Sequence, residues 1–361
     1  MKTKFYLALF LCLSFFSFTE TYACTGITLR TQDNLTVLAR TVEWANEDIN
    51  SRYVIVPRGH IQQSYTPDGK KNGIKFAAKH GYVGLAVTQD EFVIDGINEK
   101  GLSAGLFYFP EYGEYETYDS TKHATTIGDM QLVAYLLANC ATIDQVKYHL
   151  SLLHIVQIDP RASTAHWRIT EPSGRQIVLE VIDQQLHFYE NTLGVLTNAP
   201  DFQWHLTNLN NYTNLHFGTV KYNDIKQLHL QAIGGGNGLH GLPGDMTPPS
   251  RFIRAAFYQI SAPEMPTTTQ TVTQAFHILN TFDIPIGIQH NSQENIPNIP
   301  SGTQWTIAID MHNQILYFRT MYNANIRRIQ LQDIDFASIP FTSQLLDPTR
   351  QQPFEDIDFE W

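Results

Sequence analysis

Cysteine is scarce in this chain, with three of 361 residues: Cys12, Cys24 and Cys140. That number excludes a disulfide-stapled scaffold. Long apolar runs are scarcer still. The stretch Phe5 to Phe18 is the one clear case, and it falls short of the roughly 20 helical residues that a bilayer requires, so no stable membrane insertion is expected. Basic charge is also short, 24 Lys and Arg against 35 Asp and Glu for a net charge of -11. Without a basic stripe, nucleic acid is excluded as a partner, and an anionic substrate would need a local arginine. The 14 His include no His-Glu-x-x-His and no paired metal spacing, so no metal site is read. Gly234-Gly-Gly-Asn-Gly238 is followed by no Gly-Lys-Ser/Thr and reads as a flexible loop, not a phosphate cradle.

What is present begins with a leader. Lys2 and Lys4 precede the apolar run, and Thr21-Tyr22-Ala23 places small residues at the two positions a signal peptidase reads. Residues 1–23 are therefore expected to be removed and the remainder exported, periplasmic or secreted. The cut makes Cys24 the first residue of the mature chain. An N-terminal cysteine carries a nucleophile and a base together: a thiol near pKa ~8.5 and an α-amine near ~7.7 to 8.0. A lipoprotein cysteine would use the same sulfur for acylation, but the aliphatic and small residues such a site prefers are replaced here by Thr21 and Tyr22. Cys140 ends an apolar run with helical spacing and reads as a small buried hydrophobe. Both mature cysteines are expected as free thiols.

Gly26 to Arg30 and Leu35 to Trp44 are β-rich runs around a Gln32-Asp33-Asn34 turn. Further strands are expected at Tyr53 to Pro57, Tyr82 to Thr88, Phe92 to Ile97 and Ser103 to Phe109, then helices at Gly128 to Cys140 and Ile143 to Leu153. A second β block covers His166 to Thr170, Gln176 to Ile182 and Leu186 to Tyr189. Helices follow at Asp201 to Leu209, Arg251 to Ser261 and Thr269 to Leu279. A final hairpin is expected from Gln304 to Asp310 and Gln314 to Met321, after a surface loop at Ile284 to Ser301. Strand blocks with helices grouped between them predict an α+β layered fold. Residues 24–361 read as one domain.

Five motifs occur in a fixed order: Cys24-Thr-Gly, Ala39-Arg40-Thr-Val-Glu43-Trp44, Asp95-Gly-Ile-Asn98-Glu-Lys-Gly101-Leu, Gly194-Val-Leu-Thr-Asn198-Ala-Pro200-Asp-Phe202, and Gly241-Leu-Pro-Gly-Asp245 with Ser250-Arg251-Phe252. In these the chain resembles the choloylglycine hydrolases, which include bile salt hydrolases and penicillin V acylases. The resemblance implies a four-layer αββα N-terminal-nucleophile sandwich, commonly tetrameric, using no cofactor. It implies Cys24 as nucleophile with its own amine as proton acceptor and donor, Arg40 and Arg251 beside the sulfur, and Asn198 donating an amide N–H to the oxyanion. Glu43 stands where the best-known members have Asp. One methylene longer, it is expected to hold the α-ammonium. The second oxyanion donor is a backbone N–H that matches Phe107 or Tyr108.

The chemistry agrees with physical expectation. Two unit charges ~4 Å apart gain about 4 kcal/mol at an effective dielectric of 20 but only about 1 in water, so Arg40 in a partly buried cleft lowers the thiol pKa. Singly, these residues have plainer readings: Arg40 and Glu43 as an ion pair across a strand end, Asn198 as a turn former, Arg251 as a solvated residue in a helix's first turn. Phe107, Tyr108, Phe109, Tyr112 and Tyr115 read either as walls of an acyl pocket or as strand packing. The expected substrate is a small-molecule N-acyl amide: a conjugated bile salt, penicillin V or a long-chain acyl-homoserine lactone. An inactive exported or lipid-tethered binding protein is the alternative.

Overall fold

The computed structural model describes residues 23–44, 48–159, 163–285, 288 and 302–359. The expected leader up to residue 22, and nearly all of the Ile284 to Ser301 segment, lie outside the described residues. The first hairpin pairs Ala23–Arg30 with Thr36–Trp44. Its turn is possible because Asn34 accepts a left-handed φ of 61°, which asparagine tolerates better than most residues.

This hairpin forms one edge of a five-stranded sheet that continues through Gly302–Asp310, Ile315–Thr320 and Arg327–Gln330. An eight-stranded sheet runs in the order Gln185–Glu190, Gln176–Ile182, Ala165–Thr170, Ser103–Tyr108, Val93–Asn98, Tyr82–Ala86, Arg52–Val56 and Thr342–Leu345. Neighbours in both sheets are antiparallel. Helices Pro248–Ser261 and Thr268–Leu279 cover the five-stranded sheet, and Leu132–Asn139 covers the eight-stranded one. The result is the layered αββα arrangement. Among the described residues no helix is long and apolar enough to cross a membrane.

Sheets covered on both sides have no wet face. Val93–Asn98 and Ala165–Thr170 are buried at every position, and Thr36–Trp44 at all but its last. Each buried Val, Leu or Ile contributes roughly 1.5 to 3 kcal/mol, whereas an unpaired charge in the same place costs more than that. The charged residues in these strands must therefore find partners, and the site is built from those that do.

The Asn98-Glu-Lys-Gly101 turn is structural. Asn98 Oδ1 accepts from the N–H of Lys100 and Leu102, its amide donates to the Leu137 and Cys140 carbonyls, and Gly101 sits at φ 80°, where a side chain would be strained.

Three expectations change. The hairpin after residue 302 is not the last, because Arg327–Gln330 and Thr342–Leu345 extend the two sheets as short, partly exposed edge strands without apolar alternation. A further hairpin, Tyr222–Ile225 with Leu228–Gln231, is exposed at every position and so lacks a one-sided pattern. The helix read from Gly128 begins as a 3-10 turn over Asp129–Gln131.

Candidate active site

Side chains of an antiparallel strand alternate between the layers it separates. Cys24 lies opposite Val42, and Gly26 opposite Arg40. Cys24 and Arg40 thus share the face turned to the eight-stranded sheet, where Arg40 Nη2 donates to Cys24 Sγ at 2.8 Å. The other guanidinium nitrogen donates to the Leu106 carbonyl at 2.5 Å and to Asp95 Oδ2 at 3.3 Å. The Phe107 ring lies 3.8 Å from the guanidinium carbon. Arg40 pairs with Asp95, so the plain reading of an Arg40 to Glu43 ion pair fails: the two residues point to opposite faces.

The second face carries Ala23, Thr25, Thr41 and Glu43. Arg251, fully buried in the first turn of Pro248–Ser261, reaches down from the helix layer. It donates to the Cys24 carbonyl at 2.5 Å, to Thr25 Oγ1 at 2.8 Å and to Asn198 Oδ1 at 2.7 Å. Asn198 Oδ1 also accepts from the Cys24 backbone N–H at 2.8 Å, while one amide N–H of Asn198 donates to the Tyr108 carbonyl at 2.8 Å. The Tyr108 backbone N–H donates to the Cys24 sulfur. Of the two backbone donors read from sequence, Tyr108 is the one at the sulfur, and Phe107 instead presents its ring to Arg40.

Glu43 sits in register with Ala23, the residue just before Cys24. Its Oε1 accepts from Thr303 Oγ1 at 3.1 Å; its Oε2 is buried with no hydrogen-bond partner among the described residues. Burial, opposed by Arg251, pushes this carboxyl up to about 7. Burial also dominates at Cys24, which with Ala23 still attached is only 5% exposed. It raises the thiol pKa, with Arg40 the strongest opposing influence. The expected net lowering by Arg40 is thus reversed with Ala23 in place, because the sulfur lies in an interior rather than in a cleft.

Asp95 and Arg168 escaped the reading of single residues. Arg168 is buried, donates to the Ile27 carbonyl at 3.2 Å, and has its pKa brought down to about 10 by burial, with Asp95 opposing. Together Arg40, Asp95 and Arg168 form a charged cluster between the sheets. The usable signal was a charge in a strand with no polar face, as in His166-Trp-Arg-Ile-Thr170. The aromatic group also divides. Phe107, Phe109 and Tyr115 are buried packing residues, and only Tyr108 and Tyr112 keep exposed surface. Cys24 and Cys140 are free thiols, and burial pushes Cys140 up to about 12. No cluster of three metal-ligating side chains occurs among the described residues.

A thiol on the edge strand of a two-sheet αββα sandwich, hydrogen-bonded to a buried arginine, defines the N-terminal-nucleophile hydrolase class of fold. Residues 24–345 match the family model for linear amide C–N hydrolases, choloylglycine hydrolase family. A bile salt hydrolase/transferase of Clostridium perfringens is 32% identical over 85% of this chain and 92% of its own length. The penicillin V acylase of Pectobacterium atrosepticum is 27% identical over 83% and 78%. The crystal structure of a mutant conjugated bile acid hydrolase from Clostridium perfringens superposes with a TM-score of 0.80 at 28% identity, covering 93% of this chain and all of that one. The chain belongs to the choloylglycine hydrolase family and is an enzyme acting on linear amide C–N bonds.

Proposed function

We propose that Cys24, exposed as the first residue by export and removal of residues 1–23, is the nucleophile of an amidase for N-acyl amides with a bulky apolar acyl group, such as conjugated bile salts or penicillin V. The observation that carries this reading is the 2.8 Å hydrogen bond from Arg40 to the Cys24 sulfur, with the Tyr108 N–H aimed at the same atom. The sulfur adds to the acyl carbonyl, and the resulting oxyanion takes hydrogen bonds from Tyr108 N–H and from the second amide N–H of Asn198. The departing amine accepts a proton from the α-ammonium. Water, deprotonated by the amine so formed, then resolves the thioester to the free acid and the thiol.

Maturation supports Glu43 in the role usually taken by Asp. Removing Ala23 takes away the residue directly opposite Glu43, and the new ammonium faces a buried carboxylate whose Oε2 has no hydrogen-bond partner among the described residues. Asn198 Oδ1, which already accepts from Cys24 N–H, is a second acceptor for it. A lipid-tethered reading is not favoured, since Thr21 and Tyr22 stand where a lipoprotein cysteine is preceded by an aliphatic and a small residue. Arg251 orients the Cys24 carbonyl and Asn198.

N-terminal sequencing of exported protein is expected to begin at Cys24. The purified chain and Cys24→Ala are then assayed on a glycine-conjugated bile salt, penicillin V and a long-chain acyl-homoserine lactone. The expected result is at least about a thousand-fold loss of turnover with an unchanged melting temperature. Retained activity in Cys24→Ala rules the reading out. We further propose a homo-oligomer, supported by the exposed apolar hairpin at Tyr222, Ile225, Leu228 and Leu230.

A further inference from the structure

Asn198 lies in a segment whose three consecutive carbonyls are each held by a buried donor. The Leu196 carbonyl accepts from Gly26 N–H at 2.7 Å, that of Thr197 from His166 Nε2 at 3.1 Å, and that of Asn198 from His205 Nε2 at 2.8 Å. Both histidines are fully buried, and the steps described above use neither.

Each ring also has a second contact that leads back to the site. His166 stacks on Phe109, next in sequence to Tyr108, with centroids 4.5 Å apart and planes 9° from parallel. His205 stacks on Phe252, next to Arg251, at 4.5 Å and 10°. One ring therefore ties the Asn198 segment to the Tyr108 strand and the other ties it to the Arg251 helix.

Donor counting defines their protonation. A carbonyl only accepts, so Nε2 carries hydrogen in both rings. In His205 the remaining Nδ1 is buried without a hydrogen-bond partner among the described residues, and burial lowers its pKa to about 4, which keeps the ring neutral with its proton on the nitrogen facing Asn198. In His166, Nδ1 faces Glu180 Oε1 at 3.0 Å, and that oxygen already accepts the Phe202 N–H at 3.0 Å. This contact fixes the plane of the His166 ring and turns Nε2 toward the Thr197 carbonyl. The Phe202 contact also ties Glu180 to the start of helix Phe202–Asn208, the element that carries His205.

We infer that His166 and His205 are positioning residues that hold the Asn198 amide at the spacing from Tyr108 and Arg251 required for oxyanion stabilisation; this rests on the reading of Cys24 as nucleophile. An amide displaced by about 1 Å forfeits much of its contribution, on the order of a hundred-fold in rate. A ring that packs without donating, or donates without packing, separates the two contributions.

The experiment compares mature wild type, His205→Phe, His205→Gln and Glu180→Gln. His205→Phe keeps the stack and loses the donor, whereas His205→Gln keeps a donor of similar reach. We expect His205→Phe to lower kcat by about ten- to a hundred-fold, with KM within twofold and an unchanged rate of Cys24 alkylation. Hydrogen exchange across residues 194–202 should accelerate in the same variant. His205→Gln should restore both readouts to within about threefold of wild type, and Glu180→Gln should lower kcat without raising KM. Wild-type kcat in His205→Phe, or loss that His205→Gln fails to rescue, overturns the inference. If His205→Phe does not fold, His205→Gln and Glu180→Gln decide it by the same criteria. The exchange measurement does not depend on turnover. Unchanged exchange in folded His205→Phe refutes the pinning itself, while accelerated exchange in an enzyme whose Cys24→Ala form stays active refutes only the nucleophile reading.

Discussion

Among the polar groups around Cys24, Glu43 is the one in register with Ala23, the residue that the proposed cut removes. In the uncut chain its carboxyl titrates near 7 rather than at the ordinary 4.5, because burial disfavours the charged form and Arg251 only partly offsets that. A folded-state value above the unfolded one means that stability is fully present below pH 4.5 and is lost as pH rises through 7. Glu43→Gln in the uncut chain should therefore abolish a loss on the order of 3 kcal/mol between pH 4.5 and pH 8, measured by denaturant unfolding at both values. On the proposed cut after Ala23, the new α-ammonium would be the partner of Glu43, and the same substitution in the processed enzyme is expected to lower kcat instead. Cys24, Arg40, Asn198 and Arg251 were legible as motif residues, whereas the Asp95 and Arg168 partnership was not, because it is made across the gap between sheets.

At the scale of single elements, strand Ser103–Tyr108 has to be thin where it crosses the site. A Cβ on Gly105 would lie 2.6 Å from Asp95 Oδ2 and 3.5 Å from Arg40 Nη1. Gly105→Ala is expected to drive Asp95 away from Arg40, lowering kcat by at least tenfold and stability by about 1 to 3 kcal/mol; kinetics with a thermal melt check both. Gly26 is equally tight, with a Cβ there falling 2.8 Å from Arg168 Nη1 and 2.9 Å from Phe107 Cζ. The long strands and helices were readable because β-rich runs, apolar periodicity and turn residues mark them. The edge strands Arg327–Gln330 and Thr342–Leu345 and the outlying hairpin were not, since elements that bury neither face fully carry no such pattern.

For the molecule as a whole, the exposed Tyr222–Ile225 and Leu228–Gln231 hairpin is the place to look for self-association. Leu228→Glu with Ile225→Glu should lower the sedimentation mass toward that of one chain while leaving the melting profile of the protomer intact. An unchanged mass would place the contact elsewhere. Sequence alone determined the family, the α+β layering and the thiol around which the site is built, because each of these is written in local pattern or in short ordered motifs. Only the tertiary structure decided which charges meet: Arg40 with Asp95, Arg251 with the Cys24 carbonyl, and two histidines with consecutive carbonyls beside Asn198. Those pairings are decided by the packing of separate layers, where buried charge survives only if residues distant in sequence arrive together, and no local pattern encodes that arrival.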